Sequence, residues 1–493
     1  MRYGLKSQLL TVIVCFLPAA CTVGPDYKRP AMPVPAEFKE LQGWTQARPR
    51  DHEITGDWWQ IFDDPYLNSL ERQVDIANQS IAQAEAQFRQ AQSLVQGAKS
   101  AYFPVVSGSL SANRFRAASG QSVAVSGVRS LFNGAISFAW EPDIWGKVRR
   151  EVESNEAAAQ ASAASLQAVR LLMQATLAQN YFQLRALDAR IRLLNDTVES
   201  YARTLKITQN RYTVGVAGKS DVVQAETQLE SARAQAIDFG ILRAQLEHAI
   251  AVLMGKTPAE LTIPEAALTA KIPAIPVSIP SRLLERRPDI AEAERLAAAA
   301  NARIGVAKAA YFPNLNLSGT NGYQASTFSN LLTNAARYWA LGPAALALPL
   351  FDGGARSATL GETIHSYDAS VAVYRQTVLV GFQEVEDQLS TLRILEKEIQ
   401  VQEKAVAAAR KAVELTTNQY QAGTLSYLNV NTAQADALNN EITAVDLLSQ
   451  RLVAAVLLVK ALGGGWSTAQ LPSPDDAGGE MEWSQFLPIP VKQ

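Results

Sequence analysis

The longest unbroken pattern in the chain runs from about Val148 to Tyr212, without proline or glycine, and its apolar positions alternate three and four apart: Leu187, Ile191, Leu194, Val198, Tyr201, Leu205, Thr208 and Tyr212. That spacing is a coiled-coil seam. At about 1.5 Å per residue the helix extends on the order of 100 Å, longer than an ordinary globular domain holds. Elsewhere the period drops to two. In "FPVVSGSLSANR", Ser107, Ser109, Ser111 and Asn113 share one face and Val106, Leu110 and Ala112 the other; in "LFNGAISFAWE", Phe132, Ile136, Phe138 and Trp140 oppose Asn133, Ala135, Ser137 and Ala139. "NLNLSG" sets Leu315 and Leu317 against Asn314, Asn316 and Ser318, and "LGPAALALPL" predicts a last strand with Leu346, Leu348 and Leu350 at alternate positions. Strands apolar on one side and small or polar on the other suit a lipid-facing, water-filled barrel; a soluble sandwich with the apolar face inward alternates in the same way.

The chain says most things twice. "AKSAYFP" at Ala98 returns as "AKAAYFP" at Ala307, 209 positions on; "EPDIWGKVR" from Glu141 parallels "ALPLFDGGAR" from Ala347, "NRYTVG" at Asn210 parallels "NQYQAG" at Asn418, and "LMGK" at Leu253 parallels "ALGG" at Ala461. Landmarks recurring in one order mark an internal duplication. Each unit reads as a first helix, two strands, a long helix, a glycine turn and a return helix, and the two shorter helices stacked end to end would match the long one. Pro104 and Pro313 sit where helix gives way to strand, because the residue before a proline is steered out of the helical region. Tyr102, Phe103, Tyr311 and Phe312 at these joins suit an aromatic membrane belt or plain packing at a helix end.

These readings divide the chain into a signal peptide (1–20), an N-terminal lipid-anchored extended segment (21–62), a first helix (63–101), strands (102–142), and a long helix, hairpin and return helix (143–255). A Pro-rich segment (256–281) then leads to the second first helix (282–310), strands (311–350), long helix, hairpin and return helix (351–463), and a C-terminal segment (464–493). The leader is read from Arg2 and Lys6, the apolar run "LLTVIVCFL" and the small residues Ala19 and Ala20 before Cys21. The run is too short to span a bilayer. Cys21 is the expected lipidation site; a plain signal peptide with an incidental cysteine is the alternative.

Composition narrows the function. With 45 basic and 47 acidic residues in 493, no electrostatic footprint for nucleic acid exists. Only three histidines occur, His52, His248 and His365, scattered and without paired carboxylates, so no catalytic or metal site is indicated, and no cofactor beyond a covalent lipid at Cys21. "GVAGKSD" fails as a phosphate loop because Thr213 stands where its first glycine belongs. Strand count bears on assembly: each chain supplies about four, whereas a membrane sheet must close. Two chains would give about 8 strands and a filled bore, three about 12 and a lumen, so a homotrimer is the smallest conducting assembly.

"CTVGPDYKRP", "WWQIFDDPYLNSL", "RRPDIAEAERLAAAANARIGVAKAAYFP" and "LGGGW" together resemble the TolC-like outer membrane efflux protein family, in its lipoprotein branch, over nearly the whole mature chain. The resemblance implies a membrane α+β fold: a trimeric 12-stranded transmembrane β-barrel, four strands per chain, continuous with a long α-helical coiled-coil tunnel in the periplasm. It implies a passive outer membrane conduit for an efflux or type I export system, with a periplasmic adaptor and an inner-membrane pump as partners. The periplasmic gate would lie at the hairpin tips, Tyr212, Gly215 and Asp221 in the first and Tyr420, Gly423 and Leu428 in the second. Related lipoprotein channels carry an acid four positions after the leucine matching Leu428, where this chain has Thr432, which leaves constriction to Leu428 or charge to Asp221. Asp221 also reads as an ordinary first-turn acid favoured by the helix dipole. The competing function is a periplasmic coiled-coil adaptor or scaffold lipoprotein, which needs no lipid-facing strands; Phe132, Ile136, Phe138 and Trp140 discriminate the two.

Overall fold

The computed structural model describes residues 22–41, 56–116, 128–268, 272–273, 275 and 280–479; Cys21 and segment 1–20 lie outside the described residues. The first repeat opens with α1 (Pro65–Ala77) and α2 (Gln79–Ser100). Where the sequence predicts one helix, there are two. Asp64 caps α1 by accepting from the Tyr66 and Leu67 amides, and Asn78, in extended conformation, ends it and caps α2 through the Ser80 and Ile81 amides. Strands β1 (Val105–Arg116) and β2 (Val128–Trp140) follow, then α3 (Lys147–Thr213) and α4 (Lys219–Leu253). The second repeat runs through α5 (Pro288–Ala309), β3 (Asn314–Ala325), β4 (Arg337–Leu341), β5 (Ala345–Ala347), α6 (Ala355–Gln421) and α7 (Tyr427–Ala461). Helices α3 and α6 each have 67 residues, and α4 and α7 each have 35.

The short helices do stack end to end. The Asn78 side chain donates to the Leu253 carbonyl at the end of α4, at 2.7 Å, so α2 begins where α4 stops. In the second repeat Arg287, at the head of α5, donates to the Ala461 carbonyl at the end of α7. Gly255 and Gly463 make both joints possible. Their φ angles are 66° and 96°, and a Cβ would come within 2.2 Å of the Ala77 carbonyl oxygen and 2.1 Å of that of Arg286. Laterally the helices lie in the order α4, α3, α7, α6, with α2 continuing α4 and α5 continuing α7. The predicted seam of α3 is buried or half-buried from Leu187 through Thr208, and only Tyr212 emerges. Helix α7 is long and apolar enough to cross a membrane, yet it packs between α3 and α6 and buries Leu447, Leu452, Val456 and Val459 there.

All sheet pairings are antiparallel, in the order β1-β2-β3-β4, with β5 also on β3. β4 and β5 are two halves of one fourth strand, which differs from the sequence expectation: it starts at Arg337, breaks at Gly342 and Pro343, and leaves Leu348 and Leu350 outside. Proline has no amide hydrogen to give the ladder, which accounts for the break.

At mid-length, α1 packs into the main core with Trp58, Trp59, Phe62 and Phe182. Glu71 of α1 lies in it with 0% exposure and no hydrogen-bond partner for either oxygen among the described residues, and burial, with Asp75 adding, holds its carboxyl well above the usual carboxylate range. Between the ordinary and the raised pKa the folded protein binds a proton that the unfolded chain has released, so stability is lost as pH rises through that window. Glu71→Gln is therefore expected to raise the melting temperature by a few degrees at neutral pH and to match wild type near pH 4. A difference of equal size at both pH values would refute this.

Candidate functional site

Three regions carry the candidate residues. On the sheet, register shows which side chains share a face. Val106 pairs with Phe138, Leu110 with Gly134 and Ala112 with Phe132; across the next ladder Ile136 pairs with Asn321, Phe138 with Gly319 and Trp140 with Leu317. Leu341, Trp339 and Leu346 join the same face through Gly319, Asn321 and Leu315. Every strand thus contributes to one apolar face. The other bears Ser107, Ser109, Asn133, Ser137, Asn316 and Thr320, with Ser137 and Thr320 hydroxyls 3.1 Å apart. In a single chain Ile136 is 63% exposed and Phe138 and Trp140 are exposed too, while Phe132, Leu315 and Leu317 are half-buried. Sequence reading began the last strand at Leu341 and so missed Trp339, and it named Leu346, Leu348 and Leu350 rather than Leu341 as the alternating set.

At the join, aromatic rings mark the change from sheet to rod. Trp145 stacks on Phe312 at 4.9 Å and donates to the Pro313 carbonyl, and Trp140 donates to the Tyr102 carbonyl. Thr22, the first described residue, lies against Gly146 here, and the Val23 amide donates to the Trp145 carbonyl. The buried Arg150 holds this end of the N-terminal segment through the Val23 and Gly24 carbonyls and Asp26.

At the opposite end, Gly215 and Gly423 sit in the two hairpin turns with φ of 77° and 81°. The hairpins are tied together. Tyr420 is only 3% exposed, its hydroxyl donating to Thr208 and its ring edge-on to Tyr427, whose hydroxyl donates to Gln228. Arg211 lies 4.7 Å over the Tyr420 ring and donates to the Gln421 carbonyl. Tyr420 therefore joins the hairpins in this conformation and does not project from the tip. Leu428 is 57% exposed, with Thr432 exposed on the same helix face, its hydroxyl donating to the Leu428 carbonyl. Tyr212 is exposed and Asp221 half-buried in the first turn of α4. Arg211 was not foreseen, since an isolated arginine beside a turn carries no signal until its partner is known.

A duplicated helical rod ending in a sheet with one apolar face is the architecture of outer membrane channel subunits. The structure of the outer-membrane channel OprN aligns with a TM-score of 0.85 at 31% identity, covering 90% of this chain and 100% of that one. The Campylobacter jejuni CmeC channel, 21% identical, shares the fold with a TM-score of 0.84. The chain belongs to the outer membrane efflux protein family, which it matches over residues 72–256 and again over 279–464, once per repeat. The probable efflux pump outer membrane protein TtgC of Pseudomonas putida is 31% identical over 466 residues, 94% of this chain and 96% of the relative. The cation efflux system protein CusC of Escherichia coli is 28% identical over 463 residues, 93% of this chain and 99% of the relative. The protein is thus an efflux channel component of the outer membrane that reaches into the periplasm, and the adaptor or scaffold alternative is set aside.

Arg211→Ala removes a cation-π contact and a charged hydrogen bond, about 1–2 kcal/mol together. Amide exchange in both hairpin turns is expected to rise by roughly tenfold, as a local opening of that size requires. Unchanged exchange at Gly423 and Thr424 would show that Arg211 does not tie the tips.

Proposed function

We propose that three copies of this chain form one passive conduit, a barrel of about 12 strands in the outer membrane continuous with a helical tunnel through the periplasm. The sheet carries the reading: all strands turn apolar residues to one face, and its two edges, β1 and β4 with β5, are unpaired among the described residues. In hydrocarbon each unsatisfied peptide group costs several kcal/mol, so such a sheet must close, and three copies are the fewest that leave a lumen.

The helical flanks support the same assembly. On α6, Val373, Val380, Ile394, Val401 and Leu415 are exposed at multiples of seven residues, and on the far flank Ile237 and Ile241 of α4 are exposed as well. An exposed heptad stripe is half of a coiled-coil seam. Tyr212 and Tyr420 occupy equivalent repeat positions, yet one is exposed and the other buried against the neighbouring hairpin. A second copy would give Tyr212 the environment that Tyr420 finds within its own chain.

Lipid on Cys21 would enter the membrane beside the join, since Thr22 rests on Gly146. The tips, pinched at rest by Leu428 and opened when an adaptor separates hairpins tied through Arg211 and Tyr420, form the gate; an inner-membrane pump supplies the substrate.

Purified protein is expected to run in detergent with about three times the 53.4 kDa chain mass, less the leader. Ile136→Trp fluorescence is expected to be quenched by brominated lipid and Ser137→Trp fluorescence spared; a monomer, or equal quenching of both, would overturn the barrel. Leu428→Ala is expected to raise resting single-channel conductance about two-fold or more, because a ring repeats each side chain around a narrow axis. An unchanged current would remove Leu428 from the gate.

A further inference from the structure

We propose that the outer rim of the sheet binds a phosphate-bearing lipid of the outer leaflet, gripped by Arg114 and Arg116 of one copy and Arg337 of the next. The inference rests on the closed-barrel reading above. Its starting point is a charge census: from Val105 to Trp140 and from Asn314 to Ala347, strands and outward loops together, there is no Asp, Glu or Lys, and the only charged side chains are Arg114, Arg116, Arg129 and Arg337.

Register sorts these four. Arg114 lies opposite Ser130, Arg116 opposite Val128 and Arg337 opposite Tyr323, all on the face that bears Phe132, Ile136 and Phe138. Arg129, opposite Phe115, is on the other. The side chains of Arg114, Arg116 and Arg337 are exposed and make no hydrogen bond or ion pair among the described residues. A cation on a lipid-facing surface is tolerable only at its boundary. These sit at one: Arg114 is ten residues beyond Pro104, and Tyr323, the partner of Arg337, ten beyond Pro313. At about 3.3 Å per residue and a tilt of 35–45°, that is roughly 25 Å above the aromatic join, the height of a barrel's apolar band. The guanidinium groups therefore reach headgroup level on the side away from the rod.

Closure then brings them together, because β1 and β4 are opposite edges of the sheet and must pair between copies. Three such clusters would surround the rim. Beside Arg337 a groove of about 630 Å³ opens over Gly108 and Gly134, whose missing side chains floor it, between Leu110, Ile136, Asn321 and Tyr323. Flanked by Leu110 and Ile136, with Ser109 and Asn321 among its lining, it offers room for an acyl chain below donors for a phosphate. Guanidinium forks bind phosphate oxygens bidentately, and do so more strongly where water is partly excluded.

The test uses delipidated wild-type trimer titrated with lipopolysaccharide, native and enzymatically dephosphorylated. R114Q/R116Q/R337Q is expected to weaken binding of the native lipid about tenfold or more, dephosphorylation to do the same to wild type, and R129Q to change nothing. Should the triple variant fail to assemble, R116Q and R337Q singly, checked as trimers, are each expected to lose about threefold. Wild-type affinity in the trimeric variants, equal binding of both lipids, or an R129Q loss as large as the triple variant's would overturn the site. A wild-type protein that is monomeric before any lipid is added would overturn the barrel itself, an outcome separable from the others.

Discussion

A helix of 67 residues is held by packing along its seam rather than by its own propensity, so its partner must be as long as it is. Here the partner comes in two pieces, and everything depends on the joint between them. Every helix end leaves four carbonyls or four amides unanswered, and two ends meeting inside a core would double the deficit. Asn78 caps α2 with its side-chain oxygen and donates its side-chain amide to the last carbonyl of α4, the Arg287 guanidinium donates to the last carbonyl of α7, and Gly255 and Gly463 let the chains approach to contact. The two solutions differ in kind. Asn78 is neutral; Arg287 is a buried cation that needs Asp289 and Glu384, at 2.6 and 2.7 Å, and would be left uncompensated without them at a cost of about 3–5 kcal/mol.

The same logic of one device used twice governs the connecting segments. In the first repeat Asp188 accepts from Arg185 and Arg243, and the three bind the inter-repeat segment through the Ile263 and Pro264 carbonyls and the Ala266 amide. The equivalents in the second repeat are Arg393, Glu396 and Arg451. Arg451 pairs with Glu396, and Arg393 pairs with Glu40 of the N-terminal segment, whose Lys39 and Glu40 amides donate to Glu386. Ion pairs at corresponding positions of the two repeats thus clip a different extended segment to each, the inter-repeat segment in the first and the N-terminal segment in the second.

Much of this was legible in the sequence because its signals are periodic. The seam from Leu187 to Thr208, the alternating faces of β1, β2 and β3, and the helix stops before Pro104 and Pro313 all follow from spacing, which one chain displays without knowledge of its neighbours. What escaped was whatever depends on partners distant in sequence. Asn78 breaking the first helix, Arg211 lying on Tyr420, and Arg393 reaching Glu40 are all contacts whose two halves look like ordinary polar residues when read apart. The fourth strand was misplaced for a local reason: "RYWAL" is too short to show a period, and the leucines after Pro343 mimic one. Tyr420, named as a tip residue, is buried against Thr208, Tyr427 and Arg211, and the motif it shares with Tyr212 gave no hint that the two environments differ.

The N-terminal segment shows what such long-range contacts accomplish. It begins beside Gly146 at the join, crosses Gly305 at Gly24, reaches Tyr374 through Arg29, and ends at mid-length with Phe38 on Phe382 and Glu40 on Arg393. From Gly24 to Glu40 is sixteen residues, a span of about 53–58 Å if fully extended. The helical path beneath it, Gly305 to Ile290 along α5 and Tyr374 to Arg393 along α6, measures roughly 50 Å at the α-helical rise. The strap has only a few ångströms of slack. A taut strap transmits position: if its first residue is fixed at the membrane level of the join, its far end, clipped by Glu386 and Arg393, cannot slide along the rod without breaking the Arg150 or the Arg393 contacts. The tie runs from Arg150 of the first repeat to Arg393 of the second, so one strap couples the duplicated halves along their length.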